Sequence, residues 1–204
     1  MRKQLLVLAA AAAAVLSPLA ASAQDSGSWL VRARALNLDP ANKDSTGLNL
    51  SVNSKVFPEV DISYFFTPNL AAELVLTYPQ KHEVRSNGTK IGTLKHLPPT
   101  LSLQYHVTGM NGWRPYVGAG LNYTRFSSVE FAPAINAALA PSIDRNSFGL
   151  SLQVGADVQI GGGWLLNLDV KKVQIRTDIS SFGVKVGEFR VDPLLVSLGI
   201  GKRF

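Results

Sequence analysis

Residues 148–160 read FGLSLQVGADVQI, and this stretch decides the fold. Phe148, Leu150, Leu152, Val154, Ala156, Val158 and Ile160 take every second position. Gly149, Ser151, Gln153, Gly155, Asp157 and Gln159 stand between them. Period two is the signature of a strand with one apolar and one polar face. The run is about twice the ~5–6 residues of an ordinary strand.

The pattern recurs along the chain. VFPEVDISYFF from Val56, LAAELVLTY from Leu70, LPPTLSLQYH from Leu97 and WRPYVGAGLNYTRF from Trp113 all alternate. So do WLLNLDVKK from Trp164 and PLLVSLGIGKRF from Pro193, while WLVRARALNL from Trp29 places Arg32 and Arg34 on the polar face. Eight strands are expected. TPN (67–69), TGMNG (108–112) and GGG (161–163) are tight-turn sequences. Residues 39–54, 82–93, 127–146 and 176–190 form longer connections, with Asn87-Gly88 as a hairpin turn in one of them. Short turns alternating with long loops predict an eight-stranded antiparallel up-and-down transmembrane β-barrel, turns on one rim and loops on the other.

The start of the chain says where such a barrel goes. Arg2 and Lys3, an apolar run from Leu5 to Leu16 and Ala21-Ser22-Ala23 form a secretory signal, with cleavage expected between Ala23 and Gln24. That divides the chain into a signal peptide, 1–23, and a barrel, 24–204. Without Arg2 and Lys3 there are 18 bases against 14 acids, scattered, which argues against a nucleic-acid partner. Cysteine is absent, so the exported domain holds together without disulfides. Charged residues make up 17%, below the ~25% of a soluble domain.

Period two alone does not say which face meets the surroundings. In a soluble barrel the apolar face points inward; in an outer-membrane barrel it points to lipid. The polar face here carries Glu59, Asp61, Glu73, Asp157 and Asp169 against Arg32, Arg34, Arg114, Lys171 and Arg203. Such balance is what an enclosed face needs, because buried charges must be paired. Glycines on the same face suit a narrow interior, and Trp29, Tyr64, Tyr78, Tyr105, Trp113, Tyr123 and Trp164 fall near strand ends, where interfacial girdles sit. The charged set is expected to plug the lumen with ion pairs. Phe57, Phe65 and Val75 are candidates for an apolar upper lumen, which Lys171 interrupts.

HLPPT (His96–Thr100), RPYVGAGLNYT (Arg114–Thr124), QVGADV (Gln153–Val158), WLLNLDV (Trp164–Val170) and the terminal Phe204 together resemble the outer-membrane protein W (OmpW) family. The resemblance implies a monomeric eight-stranded barrel in the bacterial outer membrane, linked to passage of small hydrophobic molecules through a narrow lumen. The orientation of the two faces puts membrane lipid outside, and Leu198, Ile200 and Phe204 form an alternating tail that resembles the C-terminal signal delivering outer-membrane barrels to their assembly machinery. Exit sideways through the wall near Leu97, Pro98 and Pro99 is one reading; proline cannot donate to a strand ladder. A plain loop-to-strand corner is the other. The alternative function is a non-transporting structural or surface-receptor barrel acting through its loops.

Catalysis, metal and cofactors are not expected. Ser102, Gln104 and His106 share a face without a nucleophile motif. His82, His96 and His106 are spaced too widely for a metal motif. Between Pro133 and Pro141, Ala134, Ile135, Ala138 and Leu139 suit one face of a two-turn helix, a candidate lid.

Overall fold

The computed structural model describes residues 29–204, so the signal peptide and its Ala23–Gln24 cleavage site lie outside the described residues. The strands are β1 (Trp29–Asp39), β2 (Lys43–Asp44), β3 (Leu50–Val52), β4 (Lys55–Phe65), β5 (Leu70–Leu76), β6 (Gln80–Ser86), β7 (Thr89–Leu97) and β8 (Thr100–His106). Then follow β9 (Trp113–Phe131), helix α1 (Pro133–Leu139), β10 (Pro141–Ile143), β11 (Asn146–Gly161), β12 (Trp164–Val173), β13 (Arg176–Ser181), β14 (Val184–Arg190) and β15 (Leu194–Arg203).

The wall runs β1, β4, β5, β8, β9, β11, β12, β15 and returns to β1, every pair antiparallel. Closure leaves the eight wall strands without a free edge strand, which a structure in hydrocarbon requires. The apolar parity faces outward: Phe148 is 82% exposed and Leu121 66%. The polar parity faces inward, with Arg32, Asp61 and Glu73 at 0%. Trp29 and Tyr64 meet at 4.9 Å at the turn-side rim, and Tyr123 meets Phe148 at 4.8 Å near the loop side.

Above the outer girdle the chain keeps pairing where loops were expected. β9 continues to Phe131, and residues 82–93 and 176–190 hold the hairpins β6–β7 and β13–β14. Asn87 (φ 47°) and Gly88 (φ 80°) make the turn of the first. In these extensions Lys81 and Arg85 point out while His82 and Val84 point in, so polar now faces out. The apolar code reverses because water, not lipid, surrounds the barrel here, and that reversal hides the strands from a reading tuned to the membrane belt. α1 forms between its prolines as expected, with Ile135 and Leu139 on the side facing the barrel mouth.

Candidate functional site

The lumen is layered. At the periplasmic end Leu30, Phe65, Ala71 and Leu165 cluster, with His106 between the rings of Phe65 (4.8 Å) and Tyr116 (4.7 Å). Phe65 therefore does not belong to the apolar upper lumen: its place on β4, beside the turn, puts it at the bottom of the bore under the guanidinium of Arg203. His106 bonds Gln104 at 2.9 Å, and its partner there is not Ser102.

Above lies an ionic layer. Arg32 donates from Nη1 to Asp61 (2.8 Å) and Ser63 (3.0 Å), and from Nε and Nη2 to Asp157 (3.1 and 2.7 Å). Arg34 donates from Nε to Glu59 at 2.8 Å, and its Nη2 lies 3.1 Å from Asp61 and 3.3 Å from Glu73. Lys171 reaches Glu73 at 3.5 Å and Asp169 at 4.0 Å. Asn167 joins the two halves, accepting from Arg34 (3.2 Å) and donating to Asp157 (2.8 Å) and to the Tyr116 hydroxyl (3.0 Å), which donates to Asp169 (2.9 Å). Gln153 donates to Glu73 at 2.9 Å. Arg114 stands lower, half-buried opposite Asp157 in the β9–β11 register. Tyr116, Asn167, Gln153 and Ser63 were not singled out in the sequence, although each has the inward parity that marks its charged neighbours.

The layer is the floor of an apolar cavity of ≈ 20 Å³, which Leu36, Leu38, Phe57, Val75, Val173 and Leu195 line above Glu59 and Lys171. That is space for about one water. Its side wall holds Thr77, Pro98 and Thr100. The β5–β8 ladder stops at Val75↔Thr100 and β6–β7 begins at Gln80↔His96, so Leu76–Pro79 and Leu97–Pro99 form no strand pairs with each other. On the far side the register from β7 to β8 is unbroken: Leu97 pairs Arg125, Thr100 pairs Asn122, and the Tyr123 amide donates to the Pro99 carbonyl at 3.1 Å. HLPPT is therefore an interruption within one wall strand, not a corner. Leu97 has the parity of the outer surface.

A second apolar cavity, of ≈ 50 Å³, opens near the mouth among Leu50, Val52, Val84, Leu94, Ile135 and Leu139. Between the two cavities His82 and His96 stack, ring centroids 4.6 Å apart and planes 20° from parallel. The structure brings together two histidines that sequence spacing set apart, but among the described residues no three potential metal ligands gather. At this level Lys81, Lys95 and Arg125 are the outward neighbours, so the pair sits above the hydrocarbon. Burial pushes the His82 imidazole down, and burial with the neighbouring His82 and Lys55 takes His96 to about 3, so both rings are neutral at pH 7.

A closed eight-stranded wall, a balanced ionic interior and an apolar outer belt place this chain among outer-membrane barrels, and the OmpW family model matches residues 25–204. The chain belongs to the OmpW family. It is 38% identical to the outer-membrane protein y4mB of Sinorhizobium fredii, over 96% of this chain and 90% of that one. It is 30% identical to the dibenzothiophene metabolism operon protein PahQ of Pseudomonas aeruginosa, over 71% and 69%. The crystal structure of OprG from Pseudomonas aeruginosa superimposes with a TM-score of 0.77 at 28% identity, covering 88% of this chain and 96% of that one. This OmpW-family barrel resides in the outer membrane, its wall in contact with lipid.

Proposed function

We propose that the barrel carries small hydrophobic molecules from the outside into the outer membrane, entering at the mouth and leaving sideways above the β5–β8 ladder, between Leu76–Pro79 and Leu97–Pro99. The carrying observation is the apolar cavity that ends on a buried ionic floor while one of its walls lacks strand pairing. An apolar solute gains nothing by crossing paired charges, whereas the unpaired wall leads to hydrocarbon. The prolines explain the weakness: Pro79, Pro98 and Pro99 offer no N–H to a ladder. The kinship with a protein named for a dibenzothiophene metabolism operon agrees with an apolar cargo. With cavities this small, passage requires the wall to part.

The chain has no cysteine, so one engineered pair tests the exit cleanly. Thr77→Cys with Pro98→Cys faces two thiols across the gap. Uptake of an apolar solute by proteoliposomes should be lost on oxidation and return on reduction. Flux that ignores the crosslink sinks the lateral route.

The alternative is a surface barrel working through its loops, and the observation in its favour is the exposed apolar tip of β13–β14, with Phe182 and Val184 each 68% exposed. A reconstituted barrel without solute flux but with binding that depends on this tip would favour it.

A further inference from the structure

The stacked histidines have a chemistry that an apolar passage does not need. Gln80, His82 and His96 all point inward and are at least nine-tenths buried, and Gln80 pairs directly with His96 across the hairpin. Along the outer side of this cell come Val84 and Leu94 of the mouth cavity; along the inner side come Thr77 and Pro98 of the lower one. A solute moving between the cavities must pass it.

Three polar atoms of the cell have no protein partner: Gln80 Oε1, His82 Nε2 and His96 Nε2. Two of them are acceptors. His82 Nδ1 lies 2.9 Å from the Asn53 carbonyl, which can only accept, so Nδ1 carries the ring proton and Nε2 presents a lone pair. Gln80 donates its amide to the Tyr78 carbonyl at 3.0 Å, which leaves Oε1 as an acceptor. Buried acceptors without donors are costly, and the cost is relieved by a ligand that supplies the donor.

We propose that Gln80, His82 and His96 form a subsite that selects solutes bearing a neutral hydroxyl, phenols and alkanols, over bare hydrocarbons of the same shape. The claim rests on the transport reading and names its cargo class. An ammonium is disfavoured because the cationic Lys55 acts on both imidazoles. A carboxylate has no proton to offer and would meet the lone pairs of Gln80 Oε1 and His82 Nε2. A hydroxyl donates to His82 Nε2 or Gln80 Oε1, and its oxygen can accept from His96 in the tautomer protonated at Nε2. The rest of the solute contacts the apolar walls above and below.

The test uses the full barrel in nanodiscs with ¹⁵N-labelled histidine and methyl-labelled Leu and Val, titrated with 4-ethylphenol, ethylbenzene and 4-ethylbenzoate. Ethylbenzene should shift the Val75 and Leu38 methyls and leave the imidazole nitrogens unmoved. Ethylphenol should also move the His82 Nε2 resonance and bind about tenfold tighter, the equivalent of one buried hydrogen bond. His82→Phe and, separately, Gln80→Leu should bring that ratio towards one while ethylbenzene still binds; the ethylbenzene response shows that each variant is folded. Equal affinity for phenol and hydrocarbon, or tighter binding of the benzoate, overturns the subsite but leaves the route intact. If no ligand shifts the Val75 and Leu38 methyls, both the subsite and the transport reading fall.

Discussion

Arg32 and Asp157, 125 positions apart in the chain, hold each other through two parallel hydrogen bonds of 2.7 and 3.1 Å across the closed bore. The planar guanidinium matches the carboxylate fork, and its remaining nitrogen serves Asp61 and Ser63. β1 is thereby tied to β11, a strand it does not touch in the sheet.

Arg32→Ala takes the bidentate cation from buried Asp157 and leaves Asp61 to Arg34 alone, a loss of about 3–5 kcal/mol for a broken buried pair. Denaturant unfolding of the barrel in detergent should show a midpoint lowered accordingly. Arg32→Lys should recover only part, because an ammonium cannot make the two parallel bonds.

The phenol end of Tyr116 sits over Gly155: a Cβ built there would lie 2.4 Å from Cζ and from the hydroxyl oxygen. Gly155→Leu should displace Tyr116 and break its bonds to Asp169 and Asn167, costing about 1–3 kcal/mol as overpacking does. Tyrosine fluorescence and the unfolding midpoint should shift together, whereas Gly161→Ala, with nothing within 4 Å, should change the midpoint only through its backbone strain at φ 100°.

Acid should loosen the β6–β7 hairpin before it loosens the wall. His96 is held at about 3 in the fold against ~6.5 unfolded, so the unfolded hairpin takes up its proton first. Stability is complete above that unfolded value and declines as pH falls from it towards 3, by about 1.4 kcal/mol per unit for this group. His82, also lowered, acts in the same direction. Hydrogen-exchange protection of residues 80–97 should fall between pH 7 and pH 4.5 while that of β11 holds. His96→Phe should flatten the response; an unchanged slope would count against the linkage.

Phe204 closes the last strand: its amide donates to the Trp29 carbonyl at 2.8 Å, and Lys202 lies 5.9 Å from its ring. If assembly machinery reads this terminus, Phe204→Ala should slow appearance of the folded, heat-modifiable form in cells. Spontaneous folding of the purified chain into detergent should be little altered.

An alternation of apolar and polar residues fixes parity, and that alone makes the eight wall strands, the closed barrel and the inward side chains of the membrane belt legible in the sequence. The inward charges could be named for the same reason. Tertiary structure decided how high each residue stands against its neighbours, since sliding a strand by two residues preserves its faces and moves its partners. Only the register brings four carboxylates to Arg34, sends Phe65 to the bottom of the bore and sets Leu76–Pro79 opposite Leu97–Pro99. Only the fold carries the wall beyond the lipid, where the outer solvent changes, the alternation inverts and His82 meets His96.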